Sequence, residues 1–375
     1  MAATALVSLS SASHCFDVQF HPAEPLVAIA TISGEIELHR YDLEATSSEK
    51  RLSWAAHADS CRTARFLPSS ADQGSSRAGE RLASASADKF TVLSDVERGD
   101  RVWRAKLVAA GNALLPLDHQ RFAVGDDDGH VRIYDIRQAK SVIRYKENED
   151  FISDMALGSD GNNLCATSGD GTLAVYDMRK SGEKGLVAMS DFQEDEYLSL
   201  AIVKHGTKVV CGSQTGALAI FTWGDFGDLK DRIKGHPMSV DAVVKLSEER
   251  ILTGSSDGLI RVVSVHSRDH GSRVLSVLGE HGEGGYPLER LSLSADGTLV
   301  ASASHGQPSV QIWPTDVALN TSGAQADGAA EGTPDSVDSD DSDEPRARRK
   351  KRRKGGAKGP VAESARKAGS FFSGL

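Results

Sequence analysis

The chain has 375 residues, 43 Lys and Arg against 53 Asp and Glu, a formal net charge of −10 and four cysteines. The length allows two ordinary domains or one large repeat array. From Val317 onward 11 Lys and Arg stand against 9 Asp and Glu, leaving 32 against 44 in residues 1–316, an acidic body that excludes nucleic-acid binding by its general surface.

The first ten residues, MAATALVSLS, lack the charged flank and long apolar stretch of a secretory signal. No run of about eighteen apolar residues follows, so a soluble, non-secreted chain without membrane contact is expected. Cys15, Cys61, Cys165 and Cys211 stand 46, 104 and 46 residues apart, too far for a zinc or thiol redox motif, which suits a reducing compartment.

From residue 29 on, a β-rich run, a Gly or Asp turn and a second β-rich run recur. The units are IATISGEIELHRYD (29–42), LASASADKFTVLSD (82–95), FAVGDDDGHVRIYD (122–135), CATSGDGTLAVYD (165–177), VCGSQTGALAIFTW (210–223), LTGSSDGLIRVVSV (252–265) and ASASHGQPSVQIWP (301–314). The turn residues Asp88, Asp128, Asp170, Thr215 and Asp257 are spaced by 40, 42, 45 and 42. That is the period of a four-stranded propeller blade, a unit that cannot bury its apolar faces alone and must stack on neighbours. Asp-Gly turns supply the positive φ of a tight hairpin. Two longer spacings have local causes, the polar segments 68–79 and 279–287, both read as surface loops. The last blade has strands near Leu291–Leu293, Leu299–Ser304 and Val310–Trp313 and lacks an outer one. Thr4–Leu9 can supply it, closing the ring and removing an open edge.

The residues now carry a resemblance. Tyr134-Asp135 and Tyr176-Asp177 stand where WD repeats have their namesake dipeptide, and His57 and Gly235-His236 look like the Gly-His element. The resemblance implies buried networks of His57 with Ser86 and Asp88, and of His236 with Ser255 and Asp257, each shortened because neither blade has the usual Trp. FDVQFHPAEPLVAIATISGEIELHRY (16–41), AVGDDDGHVRIYDIR (123–137) and LTGSSDGLIRVVSVHS (252–267) resemble the WD-repeat-containing protein 55 family, including its fungal members, over most of residues 16–316. The implied architecture is all-β: a seven-bladed WD40 β-propeller over 1–316, closed by an N-terminal strand, then a tail over 317–375. Members of that family are nucleolar and linked to ribosomal RNA processing and ribosome production. The resemblance therefore implies a scaffold, a monomeric propeller within larger complexes, whose partners are pre-ribosomal factors.

Motifs that suggest chemistry are better read as hairpins. Gly254-Ser255-Ser256-Asp257-Gly258 matches G-x-S-x-G, but that motif needs a strand-to-helix elbow, and here LIRVV follows, a strand. Asp126-Asp127-Asp128-Gly129 lacks the spaced oxygens and distal Glu of a calcium loop. No metal site, cofactor or catalytic apparatus is expected. Tyr134-Asp135-Ile136-Arg137 and Tyr176-Asp177-Met178-Arg179 fall 42 residues apart, at equivalent places in consecutive blades. They resemble the WDxR box of cullin-4 ubiquitin-ligase receptors, in which the Arg meets the ligase adaptor. Tyr in place of Trp favours a simple strand-end cap, with Arg137 and Arg179 the best single candidates for a protein contact.

After Trp313 the β pattern stops. Residues 317–375 have Phe371 and Phe372 as their only aromatics, too little apolar surface to offset ordering entropy, so a disordered tail is expected. DSVDSDDSDE (335–344) precedes a basic run of Arg346, Arg348, Arg349, Lys350, Lys351, Arg352, Arg353, Lys354 and Lys358. That density suits nuclear and nucleolar import. No aromatic interleaves it, so any RNA contact would be weak, salt-sensitive and unspecific.

Overall fold

The computed structural model describes residues 3–69, 79–227, 229, 231–266, 271–282, 286–304 and 306–320. Residues 321–375 of the expected disordered tail, with the basic run, lie outside them, as does most of the 68–79 insertion.

Every repeat folds as a four-stranded antiparallel sheet, and there are seven among the described residues. From the axis outward, blade 1 is Cys15–Phe20, Leu26–Thr31, Glu35–Asp42 and Ser47–Ala55. Blade 2 is Cys61–Phe66, Arg81–Ser86, Phe90–Asp95 and Arg101–Lys106. Blade 3 is Gly111–Pro116, Arg121–Asp126, Val131–Asp135 and Ile143–Tyr145. Blade 4 is Ile152–Leu157, Asn163–Ser168, Leu173–Asp177 and Leu186–Met189. Blade 5 is Tyr197–Val203, Lys208–Ser213, Leu218–Thr222 and Asp231–Ile233. Blade 6 is Val240–Lys245, Arg250–Ser255, Leu259–Ser264 and Arg273–Glu280. Blade 7 takes Leu288–Leu293, Leu299–Ser304 and Ser309–Pro314 from the end of the ring and Val7–Ser10 from its beginning. The innermost strands touch in succession and the seventh touches the first, so the ring is closed.

Burial explains the pattern of the runs. The second strand of a blade is covered on both faces, and Leu26–Thr31, Lys208–Ser213 and Leu299–Ser304 are buried throughout. The outermost strand Ser47–Ala55 has one covered face and alternates. The apolar clusters lie between blades rather than within them. Val7, Leu9 and Ile312 of blade 7, for example, pack with Val18, Phe20 and Ile29 of blade 1. A single blade therefore has no core of its own.

The closing strand is Val7–Ser10, three residues on from the expected start. Leu6 already donates its N–H to Ile312 O at 2.7 Å, whereas Ala3 turns to Leu278 O on blade 6 at 2.6 Å. Past the last strand, Asp316–Asn320 forms a short helix and Ala318 is fully buried against blades 6 and 7. The propeller unit thus extends beyond the 316 boundary taken from the β pattern.

The turns between second and third strands do more than reverse the chain. Gly171 has φ +77°, and a Cβ there would stand 2.2 Å from Gln193 O, in the loop that leaves the same blade. Gly34 likewise lies against the carbonyls of His57 and Asp59, Gly129 against Asn148 and Asp150, and Gly216 against His236 and Met238. Each turn therefore seats the loop leading to the next blade, which only glycine allows at such an approach. Gly254–Gly258 is such a hairpin, between Arg250–Ser255 and Leu259–Ser264, so the hydrolase-like motif is a turn.

Candidate protein-interaction site

Tyr134-Asp135 and Tyr176-Asp177 end the third strands of blades 3 and 4. Both tyrosines are buried: Tyr134 packs on Trp103 and Phe122, and Tyr176 stacks on Tyr145 while donating its hydroxyl to Asn148 Oδ1 at 2.7 Å. The arginines point outward. Arg137 grips Asp135 through Nε at 2.9 Å and a terminal nitrogen at 2.5 Å, and Arg179 grips Asp177 at 2.8 and 3.0 Å. Their side chains remain 65% and 67% exposed. The guanidinium hydrogen bonds hold both carboxyls below the ordinary carboxylate range. The candidate set therefore divides: two tyrosines fill the core, two aspartates anchor, and only Arg137 and Arg179 are available to a partner. Their matching geometry places one exposed guanidinium on each of two adjacent blades, with Lys180 a second cation on Asp177 at 3.2 Å.

The expected histidine networks are present with different members. His57 Nδ1 lies 3.1 Å from Asp88 and its Nε2 2.8 Å from the hydroxyl of Ser84, not Ser86. Ser86 is occupied at the turn, donating to Asp59 O at 3.1 Å and accepting from Asp88 N–H at 3.0 Å. Burial alone would raise the Asp88 carboxyl, but His57 and the N–H groups of Ala58 and Phe90 outweigh it and lower it. His236 reaches Thr253 at 2.8 Å rather than Ser255. Asp257 is not its partner either, because Arg261 on the third strand takes both carboxylate oxygens at 2.9 and 2.5 Å. In blade 3 Arg132, at the matching third-strand position, donates to one oxygen of Asp126 at 2.6 Å. In blade 2 the matching third-strand position, opposite Ser84, is the apolar Val92, which leaves Asp88 to His57. Burial, with Arg261 adding repulsion, pushes the His236 imidazole down to about 4, so it stays neutral.

Two networks escaped the sequence reading. His281 lies inside the segment read as a plain loop, where Gly279 and Glu280 in fact complete a strand. It bonds Ser302 at 2.7 Å, and Trp313 Nε1 donates to the same hydroxyl at 2.9 Å. Here the Trp is present and the turn Asp is not, so His281 Nε2 is buried without a hydrogen-bond partner among the described residues; the set was hidden because Glu280 rather than Gly precedes the histidine. In blade 4 an asparagine replaces the histidine: Asn148 bonds Thr172 at 3.0 Å and accepts from Tyr176.

A closed ring of seven such blades, with a histidine or asparagine tying each of several loops into the sheet, is the geometry against which known proteins can be set. The WDR55 family model matches residues 7–317. The chain belongs to the WDR55 family. The match begins at the closing strand and ends in the short helix, so it spans all seven blades of this chain. WD repeat-containing protein 55 of Arabidopsis thaliana is 37% identical over 325 residues, covering 85% of this chain and 86% of that protein. The protein of that name from Bos taurus is 33% identical over 297 residues, 78% and 72% of the two chains. WD repeat-containing protein JIP5 of Cryptococcus neoformans is 36% identical over 301 residues, 78% and 77%. The basic run Arg346 to Lys358 lies beyond the WDR55 match.

Proposed function

We propose that this chain is a non-catalytic scaffold that holds proteins together in the nucleolus during ribosome production and ribosomal RNA processing. The observation that carries the reading is membership of the WDR55 family across the entire ring. The polar groups inside the blades support it, since His57, Asp88, His281 and Ser302 are held in structural hydrogen bonds rather than directed at a substrate. The basic run from Arg346 to Lys358 suits delivery and retention. The test is deletion of 346–358 with imaging, alongside depletion with quantification of ribosomal RNA precursors. Loss of nucleolar signal and accumulation of precursors are expected; normal values for both would refute the reading.

A second reading is favoured by one observation. Arg137 and Arg179 present the same exposed ion pair on consecutive blades, as a receptor for a cullin-4 ligase adaptor requires. Replacing both by alanine is expected to abolish co-purification of the adaptor while leaving folding intact. Retained adaptor would remove this reading.

A further inference from the structure

The loops leaving blades 3 and 4 have related sequences, KENEDF (146–151) and DFQEDE (191–196), with seven carboxylates against one lysine. The turn seats described above bring them together. Glu149 donates its N–H to Asp170 on the turn of blade 4 at 2.8 Å, and Gln193 donates to Gly171 O on the same turn at 3.2 Å. Asp195 then accepts from Thr215 on the turn of blade 5 at 2.5 Å. The two loops therefore form one continuous surface over blade 4.

Elsewhere several acids at the turns have cationic partners, as Asp126 has Arg132, Asp127 has Arg62 and Asp257 has Arg261. Among the described residues no Lys, Arg or His forms an ion pair with a carboxylate of either loop. Burial, with the like charges of Asp150 and Asp195, raises the Glu196 carboxyl. Amid them stands Phe192, 69% exposed, and Met238, 51% exposed, rises from the next loop, whose carbonyl rests on Gly216 beside Thr215. Arg232 donates to Gln193 Oε1 at 2.8 Å and forms no ion pair with these acids. An apolar side chain as exposed as Phe192, within a run of acids that have no ion-pair partner among the described residues, marks a contact surface.

We infer that the surface over blades 4 and 5, centred on Phe192, binds a lysine- and arginine-rich protein segment that carries an apolar anchor residue. The cations neutralise the carboxylates of the two loops and the anchor covers Phe192 and Met238. The inference rests on the scaffold reading for the partner being a protein, and is independent of where in the cell they meet.

The test is fluorescence anisotropy on the full chain with a short labelled Lys/Arg-rich peptide containing a single phenylalanine. Comparison probes are the same peptide with Gln for every Lys and Arg, and a single-stranded RNA. Phe192→Ser and, separately, Glu149→Gln with Glu194→Gln are each expected to weaken binding about tenfold or more. Glu44→Gln with Glu183→Gln, away from the surface, is expected to change nothing, and unchanged melting confirms that each variant is folded. No binding by the wild type would overturn the inference. So would equal binding by all variants, which would place the peptide on the acidic run 335–344, or a preference for the neutral peptide or the RNA. None of these outcomes bears on the imaging and precursor assays, so the scaffold reading can survive a failure here.

Discussion

Val7 stands directly opposite Ile312 in the seventh blade, so residues near the two ends of the ring share one sheet. Leu9, two residues on, is fully buried between blades 7 and 1. Leu9→Ala is expected to cost about 2–4 kcal/mol in chemical denaturation, because it opens a cavity at the junction where the two ends of the ring meet. Ser8→Ala on the exposed face should stay within about 0.5 kcal/mol. Equal effects would mean that closure contributes little to stability.

The hydroxyl that completes the blade 2 network is Ser84. A double-mutant cycle between His57→Ala and Ser84→Ala is expected to give a coupling of about 1 kcal/mol, and one between His57 and Ser86 a coupling near zero. The reverse ranking would restore the pairing expected from sequence.

Repeat period, blade number, ring closure and the hairpin nature of Gly254–Gly258 were all legible, because each follows from alternation, turn residues and spacing. The choice between Ser84 and Ser86 was not. Residues two apart point to the same side of a strand, and only the turn's use of Ser86 separates them. His281 was missed because its neighbour is glutamate, and Asn148 because nothing in KENEDF marks it as a histidine substitute. The arginines of the YDxR tetrads are exposed, as a contact residue must be, but burial of Tyr134 and Tyr176 depends on packing against Trp103 and Tyr145, which spacing does not convey.

Gly171 and Gly161 both have positive φ, yet a Cβ at Gly171 meets Gln193 O at 2.2 Å while one at Gly161 meets nothing. Gly161→Ala is expected to cost about 1 kcal/mol from backbone strain alone. Gly171→Ala should exceed about 2 kcal/mol and raise hydrogen exchange in residues 190–196. Similar costs at both positions would show that the turn does not seat the loop.

His236 and His281 each titrate near 4 in the native ring, against an ordinary 6.5, chiefly because they are buried. Above pH 6.5 both states are neutral and neither residue makes stability depend on pH. Between 6.5 and 4 the unfolded chain takes up protons that the native imidazoles refuse, so stability falls as pH falls. Thermal melts of the wild type should drop more steeply across that window than those of His236→Gln with His281→Gln, although the variant starts lower at neutral pH. Parallel profiles would contradict neutral, buried imidazoles.

All four cysteines, Cys15, Cys61, Cys165 and Cys211, are fully buried in strands, and burial pushes the Cys15 and Cys165 thiols up to about 12. Thiolate is the reactive form, so the intact ring is close to inert toward alkylating reagents and peroxide. Alkylation at these positions therefore acts as a clock on blade separation. Cys15 reports the junction of blades 7 and 1, and Cys165 with Cys211 reports that of blades 4 and 5. The chain carries its own site-resolved probes of where the ring opens first, without any label being engineered into it.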